Sequence, residues 1–254
     1  MTISPTNPWR PFTLIRTADY EAMSREGAAL LAQTLRRDPR ALICLATGGS
    51  PARTYELFAE AGRREPALCR DARFVKLDEW GGLAATDPSS CEGYLRAKLV
   101  EPLGLRPEQF QGWRCQPADP AAECRRVAAW LDANGPIDVC VLGLGLNGHL
   151  GFNEPAPALQ AGPHVAQLSA TSLAHSMLGG DRNAIPYGLT IGMANILQSR
   201  QVVLLVNGPH KQAALRRLAT REITPDFPAS FLWLHPAFTL IADHAALDPA
   251  AWPA

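Results

Sequence analysis

The chain has 254 residues, and its 24 basic and 24 acidic side chains cancel to zero formal charge. That balance gives no support to a nucleic-acid partner or an anionic membrane surface. No apolar run approaches the roughly 18 residues of a spanning helix, and residues 1–12 are polar and proline-rich, without the apolar core of a signal peptide. The six cysteines (Cys44, Cys69, Cys91, Cys115, Cys124, Cys140) contain no C-x-x-C pair. Neither a disulfide framework nor a zinc site is expected, and the chain reads as a soluble cytoplasmic protein.

After an arm over residues 1–16, Thr17 is placed to cap a helix reaching Asp38, with Met23, Leu30, Leu31 and Leu35 on one face and Pro39 stopping it. Residues 41–46 form the first expected strand. Thr47-Gly48-Gly49-Ser50-Pro51 follows, then a helix over 52–61. A second strand over 73–77 ends in Asp78-Glu79-Trp80. Ser89 and Glu92 suit a capping box for a helix over 90–99, and Asp119-Pro120 opens another that Asn134-Gly135 closes.

Residues 137–142 are an apolar, β-branched run that predicts a buried strand. A short strand over 165–168, a helical piece over 171–178 and a loop at Gly179-Gly180 come next. Strands over 201–206 and 238–242 flank a helix ending near Leu218. This alternation predicts an α/β fold, a single doubly wound Rossmann-like domain over 1–254 with a mostly parallel sheet.

Gly143-Leu144-Gly145-Leu146-Asn147-Gly148 satisfies G-x-G-x-x-G after a strand. The dinucleotide fingerprint also needs a helix opening at the third glycine and an acidic residue about 20 positions on. Gly151 and Pro155 interrupt such a helix, and no Asp or Glu lies between Glu154 and Asp181. No nicotinamide cofactor is expected.

Four other features can carry chemistry. Ser50 suits an N-cap and Pro51 the first helical position, and the glycines before them bare N–H groups that suit a small phosphate. The same residues also suit an ordinary capped turn. Lys211, behind Gly208-Pro209, reaches that phosphate if both strand ends share one rim, and otherwise is a solvated lysine. Asp78 and Glu79 stand at a strand's carboxyl end and point to opposite faces, so one at most faces a given ligand; such a carboxylate serves as a general base, or else as a helix cap or a salt-bridge partner. His149, bared by flanking glycines and near Glu154, suits proton transfer near neutrality, and otherwise is a structural histidine, the usual role of a lone one. The other histidines show no metal-ligand spacing, and no metal is expected.

Taken together, Leu45-Ala46-Thr47-Gly48-Gly49-Ser50-Pro51, Lys76-Leu77-Asp78-Glu79-Trp80 and Gly148-His149-Leu150-Gly151-Phe152-Asn153-Glu154-Pro155 resemble the glucosamine-6-phosphate deaminase and galactosamine-6-phosphate isomerase family. The resemblance implies that Asp78 is the base moving a proton between C2 and C1 of an open-chain amino-sugar phosphate. It implies that His149 opens the ring, that Glu154 is its carboxylate partner, and that Thr47, Gly48, Gly49, Ser50 and Lys211 hold the phosphate. No cofactor is implied, and the chain's association into a homo-oligomer is left open.

Two positions depart from the deaminases. Asn147 stands where they carry an aspartate, which keeps the catalytic block's hydrogen-bonding but not its charge. The segment 171–178 lacks their phosphate-binding arginine, leaving His175 and Arg182 as substitutes. With Trp80 and the run around Trp233, these departures bring the chain nearer the galactosamine-6-phosphate isomerase branch. Glucosamine-6-phosphate deaminase is the rival expectation, then a lactonase. A non-catalytic sugar-phosphate sensor is disfavoured, because about 16 residues before the first helix are too few for a DNA-binding module.

Overall fold

The computed structural model describes residues 12–174 and 185–252. In chain order these form β1 (Thr13–Thr17), α1 (Tyr20–Arg37), β2 (Leu42–Leu45), α2 (Gly49–Arg64), β3 (Arg73–Lys76), β4 (Asp78–Trp80) and α3 (Cys91–Leu95). There follow α4 (Glu101–Leu103), β5 (Phe110–Gln111), α5 (Pro120–Asn134), β6 (Val139–Gly143), β7 (His164–Ala166) and α6 (Ala170–Leu173). The last are β8 (Gly188–Thr190), α7 (Met193–Leu197), β9 (Gln201–Val206), α8 (Gln212–Ala219) and β10 (Phe238–Asp243).

Seven strands make one parallel sheet in the order β1-β10-β9-β6-β2-β3-β5, as an α/β chain with crossover helices should. Its strands are apolar on both faces. Leu42 and Cys44 of β2, Cys140 and Leu142 of β6, and Leu204 of β9 pack on one side with Val127 of α5 and Leu215 of α8. Ile43, Leu45, Val139, Val141 and Leu205 pack on the other with Leu31 of α1 and Phe58 of α2. Helices on both faces make the sheet doubly wound, as expected. Leu31 is 1% exposed and Phe58 0%; truncating either to alanine costs about 2–5 kcal/mol.

From β2 the chain moves one way, to β3 and β5, and later returns to lay β6 and β9 on β2's other side. The order reverses between β2 and β6, and at such a point the carboxyl ends of an open parallel sheet leave a crevice. A second sheet closes one side of it. After β3 the chain passes through Leu77, whose N–H donates to Leu45 O at 3.0 Å and whose carbonyl accepts from Ile191 N at 3.0 Å. Beyond that residue, β4 joins the antiparallel set β4-β8-β7. This small sheet was not foreseen.

Three local expectations need correction. Thr17 ends strand β1 rather than capping α1, and Asp19 is the cap, its carboxylate accepting from Ala22 N at 2.7 Å. Ser50 is not an N-cap: Gly48 starts α2 two residues earlier, with φ 121° and no side-chain cap. Ser90, not Ser89, caps α3 by accepting from Gly93 N at 2.9 Å, and α3 runs on through a π-helical turn, Arg96–Val100, into α4. Glu92 is thereby released from a capping box to pair with Lys76 and Arg96. By contrast, Asp119 and Pro120 open α5 and Gly135 closes it, as read from the sequence. All six cysteines are free and buried, with Cys44 and Cys140 in register across β2 and β6.

Candidate active site

The crevice is a cleft of about 820 Å³, a common size for a small-molecule site. The turn after β2 forms one wall. Gly48's positive φ turns the chain directly into α2, which puts the Gly49 and Ser50 amides in the first helical turn, where no intrahelical acceptor exists. The carbonyls are tied back: Gly48 O accepts from Tyr94 OH and Gly49 O from Tyr20 OH, each at 2.7 Å. Ser50 Oγ donates to Asn207 Oδ1 at 2.8 Å, joining this turn to the end of β9. Thr47, Gly48, Gly49 and Ser50 all border the cleft. So does Lys211, in the 3-10 turn Pro209–Lys211, whose Nζ donates to Leu144 O at 2.5 Å and whose pKa burial lowers. The two strand ends therefore share one rim, as Lys211's expected role required.

Asp78 faces the cleft and Glu79 faces away, as alternation along β4 demands. Asp78 is 6% exposed. Burial and the adjacent Glu79 charge push its carboxyl up to about 7, against the pull of Lys76 and a long contact from Cys91 Sγ at 3.9 Å. Thr47 Oγ1 donates to the same sulfur at 3.2 Å, so one buried thiol touches both the turn and the carboxylate. Glu79 is fully buried and held by Lys76 Nζ at 2.5 Å and by backbone N–H groups of Trp80, Cys91 and Glu92.

The glycine-rich stretch after β6 serves the histidine. Gly145 N donates to His149 O at 3.1 Å, and Gly148 N to Gly145 O at 3.0 Å, closing a tight turn with no helix behind it. A Cβ at Gly145 would lie 2.5 Å from the His149 ring, so the glycine lets the imidazole pack on the backbone. No helix opens at Gly148, so the glycine pattern lacks the element that the dinucleotide fingerprint needs.

His149 borders the cleft, with Nδ1 turned inward to Glu154 Oε2 at 3.6 Å and Ser172 Oγ at 3.4 Å. Asn147 and Glu154 stand behind the ring. Asn147 Nδ2 donates to Glu154 Oε2 at 3.0 Å, and its Oδ1 accepts from His149 N at 3.2 Å. Glu154 also accepts from Ser169 N at 3.2 Å and from Ser172 Oγ. Although burial raises its carboxyl, His149, Ser172 and Asn147 bring it down to about 2. A proton on Nδ1 then points at this carboxylate, which leaves Nε2 for the cleft.

Ser169, Ser172, Tyr20, Tyr94 and Asn207 were not singled out from the sequence. Ser169-x-x-Ser172 carries an N-cap signal, since Ser169 Oγ accepts from Ser172 N at 3.2 Å. The tyrosines and Asn207 act over long sequence separations, and no local pattern announces them. Trp80 borders the cleft against Phe152, with ring centroids 4.4 Å apart. Trp233 does not: it lies in the core beside Phe12 and Phe238, its Nε1 donating to Leu218 O at 2.8 Å. His175 and Arg182 lie outside the described residues. Among the described residues no cluster of three or more His, Cys, Asp or Glu is arranged to hold a metal, and no helix is long and apolar enough to cross a membrane.

A doubly wound sheet with a buried carboxylate, a histidine and bare helix-start amides around its switch-point cleft defines an α/β protein with a polar cleft of small-molecule size. A family model described as glucosamine-6-phosphate isomerases/6-phosphogluconolactonase matches residues 17–240, and the chain belongs to that family. A protein of Escherichia coli (strain K12), named "Putative deaminase AgaI", is 42% identical over 226 residues, 89% of this chain and 90% of its own. The glucosamine-6-phosphate deaminase of Geobacillus sp. (strain WCH70) is 35% identical over 237 residues, 92% of this chain and 94% of its own. Among solved structures, a monomeric glucosamine-6-phosphate deaminase matches with TM-score 0.88 at 33% identity, covering 92% of this chain and 98% of that one. A 6-phosphogluconolactonase from Trypanosoma brucei, with TM-score 0.74 at 20% identity over 93% of this chain and 98% of that one, shares the fold.

Proposed function

We propose that the protein isomerises and deaminates an amino-sugar phosphate, taking galactosamine 6-phosphate to tagatose 6-phosphate and ammonia. The observation that carries the reading is Asp78: a buried carboxylate, raised to about 7, on the wall of a cleft whose other walls bear helix-start amides, a lysine and a histidine. A base of that strength near neutral pH suits removal of a proton beside a carbonyl.

In this reading the Gly48–Ser50 turn and Lys211 hold the phosphate through N–H groups and one cation. His149, oriented by Glu154 with Asn147 behind it, transfers the proton that opens the pyranose ring and exposes the C1 aldehyde. Asp78 removes the C2 proton, and its electron pair forms the C1–C2 double bond of an enolamine as the aldehyde oxygen is protonated. The proton returns to C1, leaving a C2 imine; water adds at C2 and ammonia departs. The substrate's own carbonyl makes the C2 proton acidic, so the chemistry requires neither metal nor nicotinamide.

The galactosamine preference rests on the resemblance of Trp80 and Asn147 to the galactosamine-6-phosphate isomerase branch; the relative from Escherichia coli is named only as a deaminase. A second reading, glucosamine 6-phosphate as substrate, is favoured by the relatives of that name and by the monomeric deaminase structure. The deciding experiment offers purified protein each amino-sugar phosphate and measures ammonia and ketose together. A higher kcat/KM on galactosamine 6-phosphate is expected. Equal or higher kcat/KM on the C4 epimer supports the second reading, and activity only on 6-phosphogluconolactone overturns both.

A further inference from the structure

We propose that Glu79 is a positioning residue for Asp78: the chain of charges Arg96–Glu92–Lys76–Glu79 locks β4 to the start of α3 and sets the field in which the neighbouring carboxylate exchanges its proton. The inference rests on the reading of Asp78 as the base. Glu79 itself is 0% exposed and has no place on the cleft wall, so no step of the reaction touches it.

Its hydrogen bonds come from every element around it. Oε1 accepts from Trp80 N at 2.8 Å and Cys91 N at 2.9 Å; Oε2 accepts from Glu92 N at 2.9 Å, Lys76 Nζ at 2.5 Å and Cys115 Sγ at 3.2 Å. One carboxylate thus joins β3, β4, the first turn of α3 and the segment after β5. Lys76, also 0% exposed, donates further to Glu92 Oε2 at 3.0 Å and Trp113 O at 3.1 Å. Arg96, half exposed, closes the chain on Glu92 Oε1 at 2.7 Å.

Fold stability alone is a poor reason for this arrangement. Two ions taken wholly out of water gain little over apolar side chains of the same volume. What apolar residues cannot supply is a fixed negative charge on the residue beside Asp78 and a fixed positive charge one strand back. These oppose one another at Asp78: Glu79 favours its protonated form and Lys76 its ionised form. The other titratable groups packed on Asp78 are the thiols of Cys91 and Cys44 and the Tyr55 hydroxyl, and burial keeps all three protonated, while His149 and Lys211 stand on other walls of the same cleft. The charges fixed behind Asp78, outside the cleft, are therefore Glu79 and Lys76.

The test reads the acid limb of kcat/KM against pH, together with the ¹³C titration of the Asp78 carboxyl, whose signal is identified by its loss in Asp78→Asn. Glu79→Gln is expected to move both midpoints down by about one pH unit, and Lys76→Met to move them up by a similar amount. KM near pH 8 should be little changed, since neither residue meets the cleft. In the unaltered protein both midpoints should hold between about 0.05 and 0.5 M salt, because buried charges are poorly screened. This last measurement stands even if a variant fails to fold. Midpoints that stay put in folded Glu79→Gln and Lys76→Met, or that drift with salt, overturn the inference. If Asp78→Asn keeps its activity while the carboxyl midpoints move as stated, it is the reading of Asp78 as base that fails instead.

Discussion

Burial and reactivity oppose each other at Asp78. Its carboxyl is raised from an ordinary 3.8 to about 7, so the folded chain binds that proton more tightly than the unfolded chain does. Below about pH 4 both states carry the proton and nothing is lost. Above about pH 7 the folded protein must hold a buried carboxylate that the unfolded chain would solvate, a penalty of roughly 4 kcal/mol at most. Asp78→Asn removes the proposed base and the penalty together. Its kcat should fall about 10²–10⁴-fold, with exchange of the C2 hydrogen into deuterated water stopping alongside ammonia release. Its Tm near pH 8 should rise by up to about 8–16 °C, since 1 kcal/mol moves a chain of this size by about 2–4 °C. The gain should shrink to nothing as pH falls towards about 4. Calorimetry at both pH values checks the sign, and an Asn variant that melts lower than the parent at the higher pH contradicts it. Glu154 works in the opposite sense: with its carboxyl lowered to about 2, it lends stability above its ordinary 4.5 that is lost as pH falls through 2.

Elements whose cause lies in neighbouring residues were legible, and those whose cause lies far along the chain were not. Strands β2, β6, β9 and β10 announce themselves as apolar runs buried on both faces. Helix α5 is bracketed by its Asp119-Pro120 start and Gly135 stop. Strands β4, β5 and β8, of two or three residues, exist only through partners from distant segments. The site shows the same division. The carboxylate, histidine, lysine and glycine turn stood out by residue type, whereas the tyrosines behind the turn and the ion chain behind Asp78 needed three-dimensional neighbours. The start of α2 was misread because a serine followed by proline is a common cap; here the hydroxyl is spent on Asn207 and Gly48 turns the chain instead. Gly48 at φ 121° is therefore the residue on which the proposed phosphate turn depends. Gly48→Ala should cost about 1–3 kcal/mol in stability. It should also raise KM about tenfold or more with a smaller change in kcat, the pattern of lost uniform binding. Unchanged KM in a folded Ala variant would show that the turn does not hold the substrate.

At the scale of the molecule, the switch point between β2 and β6 brings the Gly48–Ser50 turn, Lys211 and Asp78 to one cleft, while no Lys or Arg stands in the segment after the Asn153-Glu154-Pro155 block. Residues 156–166 contain no Lys or Arg. An effector recognised there by its phosphate has nothing to distinguish two states by charge. Rates should accordingly be hyperbolic in substrate and unmoved by a phosphorylated amino sugar that is not itself turned over; a sigmoidal curve made hyperbolic by such a compound would reverse the expectation. Occupancy of the cleft itself should be visible as global stability. Anything bound to the folded chain alone at about 100 times its Kd adds about 2.7 kcal/mol, or about 5–10 °C in Tm for a chain of this length. A phosphorylated open-chain amino-sugar analogue should produce that shift, and the same analogue without phosphate should not. Asp78→Asn should keep the full shift, because the base acts on a proton and the phosphate is held elsewhere. Lys211→Met should lose most of it, since an N–H cradle without its cation binds a dianion far less tightly. If both variants lose the shift equally, binding and chemistry are not divided between the two walls of the cleft in the way proposed.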